Sequence, residues 1–319
     1  MNNSTLIQKA DLALSDLTTN GGVLQPEESN TFMRKLIKSP TILPRVRAVS
    51  MAAPKRKINK IGFGQRILRK AVSATALSAG DRAKPTTEQI EVDTSEVIAE
   101  VRLPYDVLED NIERARAAEG GSPNTGPGGL RTTLIELIGE RAALDLEEFA
   151  LDSDTTSGDD FLALQDGYLK RAANDGNVVD AEGATIDKTL FKKGKFAMPD
   201  EYLREVNSMA HFVSTDNHTE YVDTLADRGS ALGDAAIQTR LNPNAYGASV
   251  VPVATISDSV GMFMNPKNLI FGIHRQISME YDKDITARVY IIVLTARVGF
   301  QIEEPEAVVY YENIGDPTA

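Results

Sequence analysis

The chain is 319 residues long, has no Cys and no Trp, and carries 34 Lys and Arg against 46 Asp and Glu, a net charge of −12. That length suits about two domains, and 42% hydrophobic residues supply a core. The missing Cys removes disulfides, thiolate nucleophiles and Cys-ligated metals, no apolar run approaches the ~18 residues of a membrane helix, and Met1 to Leu14 lacks a secretory-signal pattern.

Met1 to Gly22 is polar and closes on the turn signal Asn20-Gly21-Gly22. A short helix is predicted to open at Pro26. It has Glu27 and Glu28 in its first turn, Lys35 and Lys38 in its last, and an apolar face of Phe32, Met33, Leu36 and Ile37. Pro40 and Pro44 stop it. From Ser29 to Gly80 there is no Asp or Glu. The same window holds twelve cations: Arg34, Lys35, Lys38, Arg45, Arg47, Lys55, Arg56, Lys57, Lys60, Arg66, Arg69 and Lys70. The remainder keeps 22 basic and 46 acidic residues, so a +12 arm is joined to a −24 body. Opposite fields on two parts of one chain favour association.

Residues 45–65 have too few large apolar side chains to fold alone. Residues 66–103 read as two long strands about a tip at Ser78-Ala79-Gly80-Asp81-Arg82. The outgoing strand is basic (Arg66, Arg69, Lys70) and the returning one acidic (Glu88, Glu91, Asp93, Glu96, Glu100). Ile90 and Val92 alternate in one phase, and Val97, Ala99, Val101 and Leu103 in the other, which predicts a bulge or strong twist near Thr94. A polar two-stranded ribbon is marginal in water and needs a further surface to lie on.

A short helix is predicted over Leu108–Ala118, then a glycine-rich loop over residues 120–129. The clearest helix follows, with Leu130, Leu137, Leu144 and Leu151 seven apart as its core face and Glu136, Glu140, Arg141, Asp145, Glu147 and Glu148 at polar positions. Asp152–Asp160 is an acidic loop, and residues 188–238 read as mixed helix. A turn at Asn242-Pro243-Asn244 leads into a strand over residues 250–256. The last third is β: Ile285, Ala287, Val289, Ile291 and Val293 alternate with Tyr290, Ile292 and Leu294 in a strand buried on both sides, and residues 299–302 and 307–311 follow.

Chemical sites are weakly signalled. The glycine-rich loop lacks the Gly-Lys-Ser/Thr ending of a P-loop and reads as a connector. The loop from Asp152 has Ser157 and Ala163 where a calcium loop needs Gly and Glu, so it reads as a solvated turn. His211 and His218, seven apart, could share a helix face but lack the i, i+4 spacing of a metal pair, and His274 reads as a packed residue in a β region. No catalytic constellation or cofactor site is expected. The basic segment admits three readings: a solvated arm, a binder of nucleic acid through residues 45–70, or a clasp on an acidic copy of the same chain. The last is preferred, because one chain supplies both surfaces.

The order of segments resembles the major capsid proteins of tailed bacteriophages of the Hong Kong-97 type. The resemblance is carried by the basic arm, the long ribbon, the leucine-striped helix and Phe161–Tyr168 after it. It is carried further by Leu203–Leu232, by "NPNAYGASVVPV" (242–253), by "NPKNLIFGIHRQISMEYDKD" (265–284) and by "GFQIEEPEAVVYY" (299–311). It implies an α+β fold in four parts. These are an N-terminal arm (1–60), an extended β-hairpin loop (61–97), a peripheral domain (98–165 and 285–319) with a spine helix at 130–151, and an axial domain (mainly 166–284).

By the same resemblance, the chain is expected to assemble from pentamers and hexamers into an icosahedral virion shell around double-stranded DNA, in the host cytoplasm. The DNA would be held without sequence-specific contact, and no membrane is involved. Separate scaffolding, portal and decoration proteins are expected partners; a fused scaffolding segment has no room before Gly22, so assembly would use a separate scaffold or none. The interface candidates are Arg34, Lys35, Arg45, Arg47, Lys55, Arg56, Lys57, Arg66, Arg69 and Lys70 on one side of the charge split, and Glu88, Glu91 and Asp93 on the other. No motif assigns a covalent Lys–Asn cross-link. The rivals are an encapsulin-type compartment of the same fold, a nucleic-acid-binding protein, and, last, an enzyme.

Overall fold

The computed structural model describes residues 40–63, 66–70, 76–78, 80, 82–104, 130–226 and 242–316. The helices expected over residues 26–38 and 108–118 and the glycine-rich loop lie outside them. In chain order the strands are β1 (Arg47–Ser50), β2 (Lys55–Gly62), β3 (Thr86–Asp93), β4 (Ser95–Pro104), β5 (Asn177–Asp180) and β6 (Ala210–Val213). Then come β7 (Asn244–Ala245), β8 (Ala248–Pro252), β9 (Gly261–Met264), β10 (Leu269–Asp284), β11 (Val289–Ile302) and β12 (Val308–Glu312). The helices are α1 (Leu130–Asp152), α2 (Tyr168–Asp175), α3 (Lys188–Ala197) and α4 (Thr215–Ala226).

A six-stranded sheet in the order β5-β12-β9-β6-β8-β7 forms the middle layer. Two of its central strands, Ala210-His211-Phe212-Val213 and Gly261-Met262-Phe263-Met264, are buried throughout, with His211 the one polar residue in them. Alternate residues go to opposite cores. Phe212, Met262, Met264 and Val308 pack with Phe149, Leu151 and Tyr168 of α1 and α2. Val213, Phe263, Val309 and Tyr311 pack with Leu190 and Phe191 of α3 and Tyr221 of α4. The α3 start is fixed by Asp187, whose carboxylate accepts the Thr189 and Leu190 N–H groups at 2.6 and 3.0 Å.

A second sheet runs β1-β10-β11-β4. Phe300 of β11 lies 5.3 Å from Phe149 and 5.5 Å from Tyr168, centroid to centroid, and so ties this sheet to the helices. The strand expected to begin at Ile285 begins at Val289 instead. The Asp284 carboxylate accepts the N–H groups of Thr286 and Ala287 and closes a turn, leaving Ile285 78% exposed. Only one face of β11 is fully buried, by Ile292, Leu294, Ala296, Val298, Phe300 and Ile302; the other is half-buried.

The leucine-striped helix is present as α1, but among its described side chains only Leu151 of the seven-residue stripe is fully buried. Leu146, Phe149, Ala150 and Leu151 are buried, whereas Leu144 is only half-buried. A straight helix drifts about 20° per heptad, so spacings of three and four select the buried face. Glu147, read as a solvent position, is 3% exposed.

The hairpin is displaced from its expected place. β3 pairs with β2, residues 55–62, and not with a strand from Arg66; residues 66–70 are described without strand structure. The register sets Lys55 opposite Asp93, Lys57 opposite Glu91 and Lys60 opposite Glu88. A stretch with few apolar residues is thus held by cross-strand charge at Lys55 and Lys57 on one face, and by Ile58 against Ile90 with Lys60 beside it on the other. Thr94 marks a change of sheet and not a bulge: β3 belongs to the ribbon, β4 to the sheet with β11.

Candidate assembly surface

The ribbon crosses the second sheet at a pair of glycines. Gly272 and Gly299 are register partners on β10 and β11. A Cβ at Gly272 would lie 2.7 Å from Met51 Sδ and 2.8 Å from Val92 Cγ1, and one at Gly299 would overlap the Asp93 carbonyl. Glycine on both strands therefore opens a saddle in which the ribbon backbone sits directly on the sheet backbone. Val92, Met51 and Ile270 form a small core there. Thr94 closes the root, with its N–H and hydroxyl both donating to Pro54 O at 3.0 and 2.8 Å. Gln301 Nε2 donates to Glu91 O at 3.0 Å.

Charge on the ribbon root is matched inside the chain. Lys55 Nζ is 2.6 Å from Asp93 Oδ2, and the hydrogen bond and charge of that carboxylate hold the ammonium above its ordinary value. Lys57 Nζ is 3.9 Å from Glu91, and Lys60 pairs with Glu304 and lies 3.7 Å from Glu88. Arg47 is 2.9 Å from Glu303, and Arg56 donates to Ser50 O at 2.6 Å. The Tyr202 hydroxyl donates to Glu304 Oε2 at 2.9 Å, so one carboxylate joins ribbon and body. Such exposed pairs are individually weak, but together they fix the ribbon's direction.

The other cations differ. Arg45, Arg66, Arg69 and Lys70 are exposed and meet no carboxylate among the described residues. Beside them Ile61, Phe63 and Leu68 are 70%, 55% and 79% exposed. Arg34 and Lys35 lie outside the described residues. Of the expected interface set, the structure brings Lys55, Arg56, Lys57, Glu88, Glu91 and Asp93 together on the ribbon root, Arg47 joins the body, and Arg45, Arg66, Arg69 and Lys70 stand apart. Lys60, the two saddle glycines and Glu147 were not among the interface residues expected from the sequence. An isolated Gly inside an apolar strand, as in Val298-Gly299-Phe300, is the one signal that could have drawn notice.

A groove between α1 and β4 has an apolar floor of Val97, Ala142, Leu146 and Leu294 and an acidic rim of Asp145, Glu148 and Asp159. Ile98 on its edge is 69% exposed.

The acidic loop turns its carboxylates onto its own chain. Asp154 accepts the Thr156 N–H and hydroxyl at 2.8 and 2.7 Å and pairs with Lys170 at 2.9 Å; these contacts pull it down to about 2. Asp159 accepts the Phe161 N–H at 2.8 Å. His211 and His218 do not share a helix: the first is on β6, the second on α4. His211 is stacked 4.2 Å from the Phe263 ring, with its Nδ1 3.0 Å from the Tyr311 hydroxyl.

Asp152, at the end of α1, is pushed up to about 6, first by burial and then by the neighbouring Glu148. The folded state therefore favours its neutral form. That contribution is fully present below the ordinary value of about 3.8 and is lost as pH rises through about 6. Asp152→Asn should raise stability at pH 7 by about 1–2 kcal/mol, discounted for partial exposure, and leave it unchanged near pH 3. Urea unfolding at the two pH values checks this; equal gains at both would refute it.

No family model matches the chain. The prophage capsid protein YqbE of Bacillus subtilis (strain 168) is 39% identical over 320 residues, covering 97% of each chain. The chain belongs to the phage capsid proteins. Solved structures carry the same Hong Kong-97-type fold at much lower identity. That of Mycobacterium phage Cain has a TM-score of 0.60 at 13% identity, covering 97% of this capsid protein and all of the other chain. The capsid of an empty GTA particle gives 0.60 at 14% identity, covering 96% and 100%. The satellite phage P4 procapsid including the size determination (Sid) protein gives 0.60 at 14%, covering 98% of each. This capsid protein is a shell-forming structural protein of the virion that assembles with copies of itself.

Proposed function

We propose that this capsid protein builds an icosahedral shell around double-stranded DNA and that its arm and ribbon clasp neighbouring subunits. The domain division given by the resemblance is retained: arm 1–60, loop 61–97, peripheral domain 98–165 and 285–319, axial domain mainly 166–284. The arm–loop boundary falls inside β2, so the loop's structural root lies near Lys55. Its part in the virion is structural and not catalytic, and scaffolding, portal and decoration proteins would act beside it during assembly in the host cytoplasm.

One observation carries the clasp. The ribbon is anchored at its root by its own chain, while the cations past β2 have no carboxylate partner among the described residues and stand beside exposed Ile67 and Leu68. The groove between α1 and β4 offers the complement, an apolar floor with an acidic rim. Nucleic-acid binding through residues 45–70 is less favoured, because Arg47, Lys55, Lys57 and Lys60 are already matched.

Replacing Arg66, Arg69 and Lys70 together by Glu should stop shell formation while leaving the subunit's unfolding midpoint unchanged. Negative-stain microscopy and thermal unfolding of one preparation give both readings. Normal shells from the triple variant would sink the clasp. These three positions are a cleaner test than Arg47 or Arg56, whose replacement also breaks contacts within the chain.

A further inference from the structure

Glu147 lies on the core side of α1 beside Leu146, Phe149, Ala150 and Leu151, all buried. A carboxylate in such a place needs hydrogen-bond partners. Its Oε1 takes two, both from the backbone: the N–H of Thr41 at 2.6 Å and the N–H of Ile42. Among the described residues no Lys or Arg side chain reaches it. Thr41 and Ile42 are where the basic arm meets the body. Ile42 is 1% exposed in the main core, its carbonyl accepts the Arg45 N–H at 2.9 Å, and β1 begins two residues further on.

A Leu or Met at position 147 would suit the packing of this face. What the carboxylate adds is an acceptor for two peptide groups more than a hundred residues away in sequence. We propose that Glu147 is a positioning residue for the arm: it fixes the point and direction at which the chain leaves the body toward neighbouring subunits. This role rests on the clasp reading above. Both bonds end on one oxygen, so they draw two successive peptide planes to a single post on α1. Without that post, a buried donor and a half-buried one lack an acceptor, and the arm root lifts from α1.

The test is hydrogen exchange and shell formation on the full chain, with Glu147→Gln and Glu147→Leu. The Gln side-chain carbonyl can accept both N–H groups, so E147Q should keep wild-type protection at Thr41 and Ile42 and form normal shells. E147L should speed exchange at those two amides by about tenfold or more relative to the β6 and β9 amides, and should lose shells. A merely structural role would speed all core amides alike, so uniform acceleration overturns the proposal. Unchanged protection in E147L overturns it, as does E147Q behaving like E147L. Local acceleration in E147L with normal shells would uphold the latch in the subunit, overturn its assembly role, and point the failure at the clasp reading itself.

Discussion

Gly299→Ala is expected to unseat the ribbon and abolish shells. The added methyl would overlap the carbonyl oxygen of Asp93 and lie 2.9 Å from its carbon. These are backbone atoms, so no side chain can rotate aside. Either β11 moves, disturbing its ladder with β10 and β4, or the ribbon root lifts and frees Thr94 from Pro54. Overpacking of this kind costs about 1–3 kcal/mol and sometimes more. A loss of about 3 kcal/mol is expected here, because the obstacle is rigid. Gly272→Ala should be milder. Its new methyl would meet Met51 Sδ and Val92 Cγ1, and the methionine can swing away. Denaturant unfolding and microscopy of both variants decide the matter. A Gly299→Ala protein of wild-type stability that forms normal shells would show that the ribbon does not rest on the saddle.

Acid should loosen the core between the six-stranded sheet and helices α3 and α4 before it loosens the rest. Burial among Phe191, Phe263 and Tyr311 pulls His211 down to about 3, opposed only by a backbone hydrogen bond with Ala245. The unfolded chain takes up a proton near the ordinary value of 6.5, and the folded chain does not until about 3. The unfolded state therefore binds more protons across that window, and stability rises with pH through it. His211 contributes its full share above pH 6.5, and this share is lost as pH falls toward 3. The slope for one proton is at most about 1.4 kcal/mol per pH unit, so the whole window is worth at most about 5 kcal/mol. Asp152 works in the opposite direction between about 3.8 and 6 and should flatten the net profile there. The clean readout is the His211 ring itself. Its NMR resonances should stay in the neutral form down to pH 4 in the folded protein; titration above pH 5 would refute the assignment.

Much of the architecture was legible because it follows from periodicity. The strands read at 250–256 and 307–311 are met by β8 and β12, and the leucines of α1 mark a long helix. The phase reversal at Thr94 was visible, although its meaning, a switch between sheets, was not. A phase change shows only that successive residues face different neighbours. The ribbon's partner strand was misplaced because Lys55-Arg56-Lys57 has no apolar alternation; its register comes from charges on a strand some thirty residues away. Glu147 was misread for a related reason. A carboxylate on an amphipathic helix belongs to solvent unless something distant needs its oxygen, and the need comes from Thr41 and Ile42. The charge split itself was plain in the sequence. Which cations are matched at home and which are not could be settled only by distance.

The parallel pairing of β1 with β10 has a mechanical side. Arg47, Ala48, Val49 and Ser50 run alongside Ile270, Phe271, Gly272 and Ile273, and the ladder ends with the Met51 N–H on the Ile273 carbonyl at 2.9 Å. A pull transmitted from the N-terminal side acts along the length of β1. It therefore loads these hydrogen bonds together, in shear, instead of peeling them one after another. With the Ile42 side chain plugged into the core just ahead of the ladder, tension between subunits would be spread across a whole patch of sheet. A shell swelling under internal pressure should then yield somewhere other than this junction.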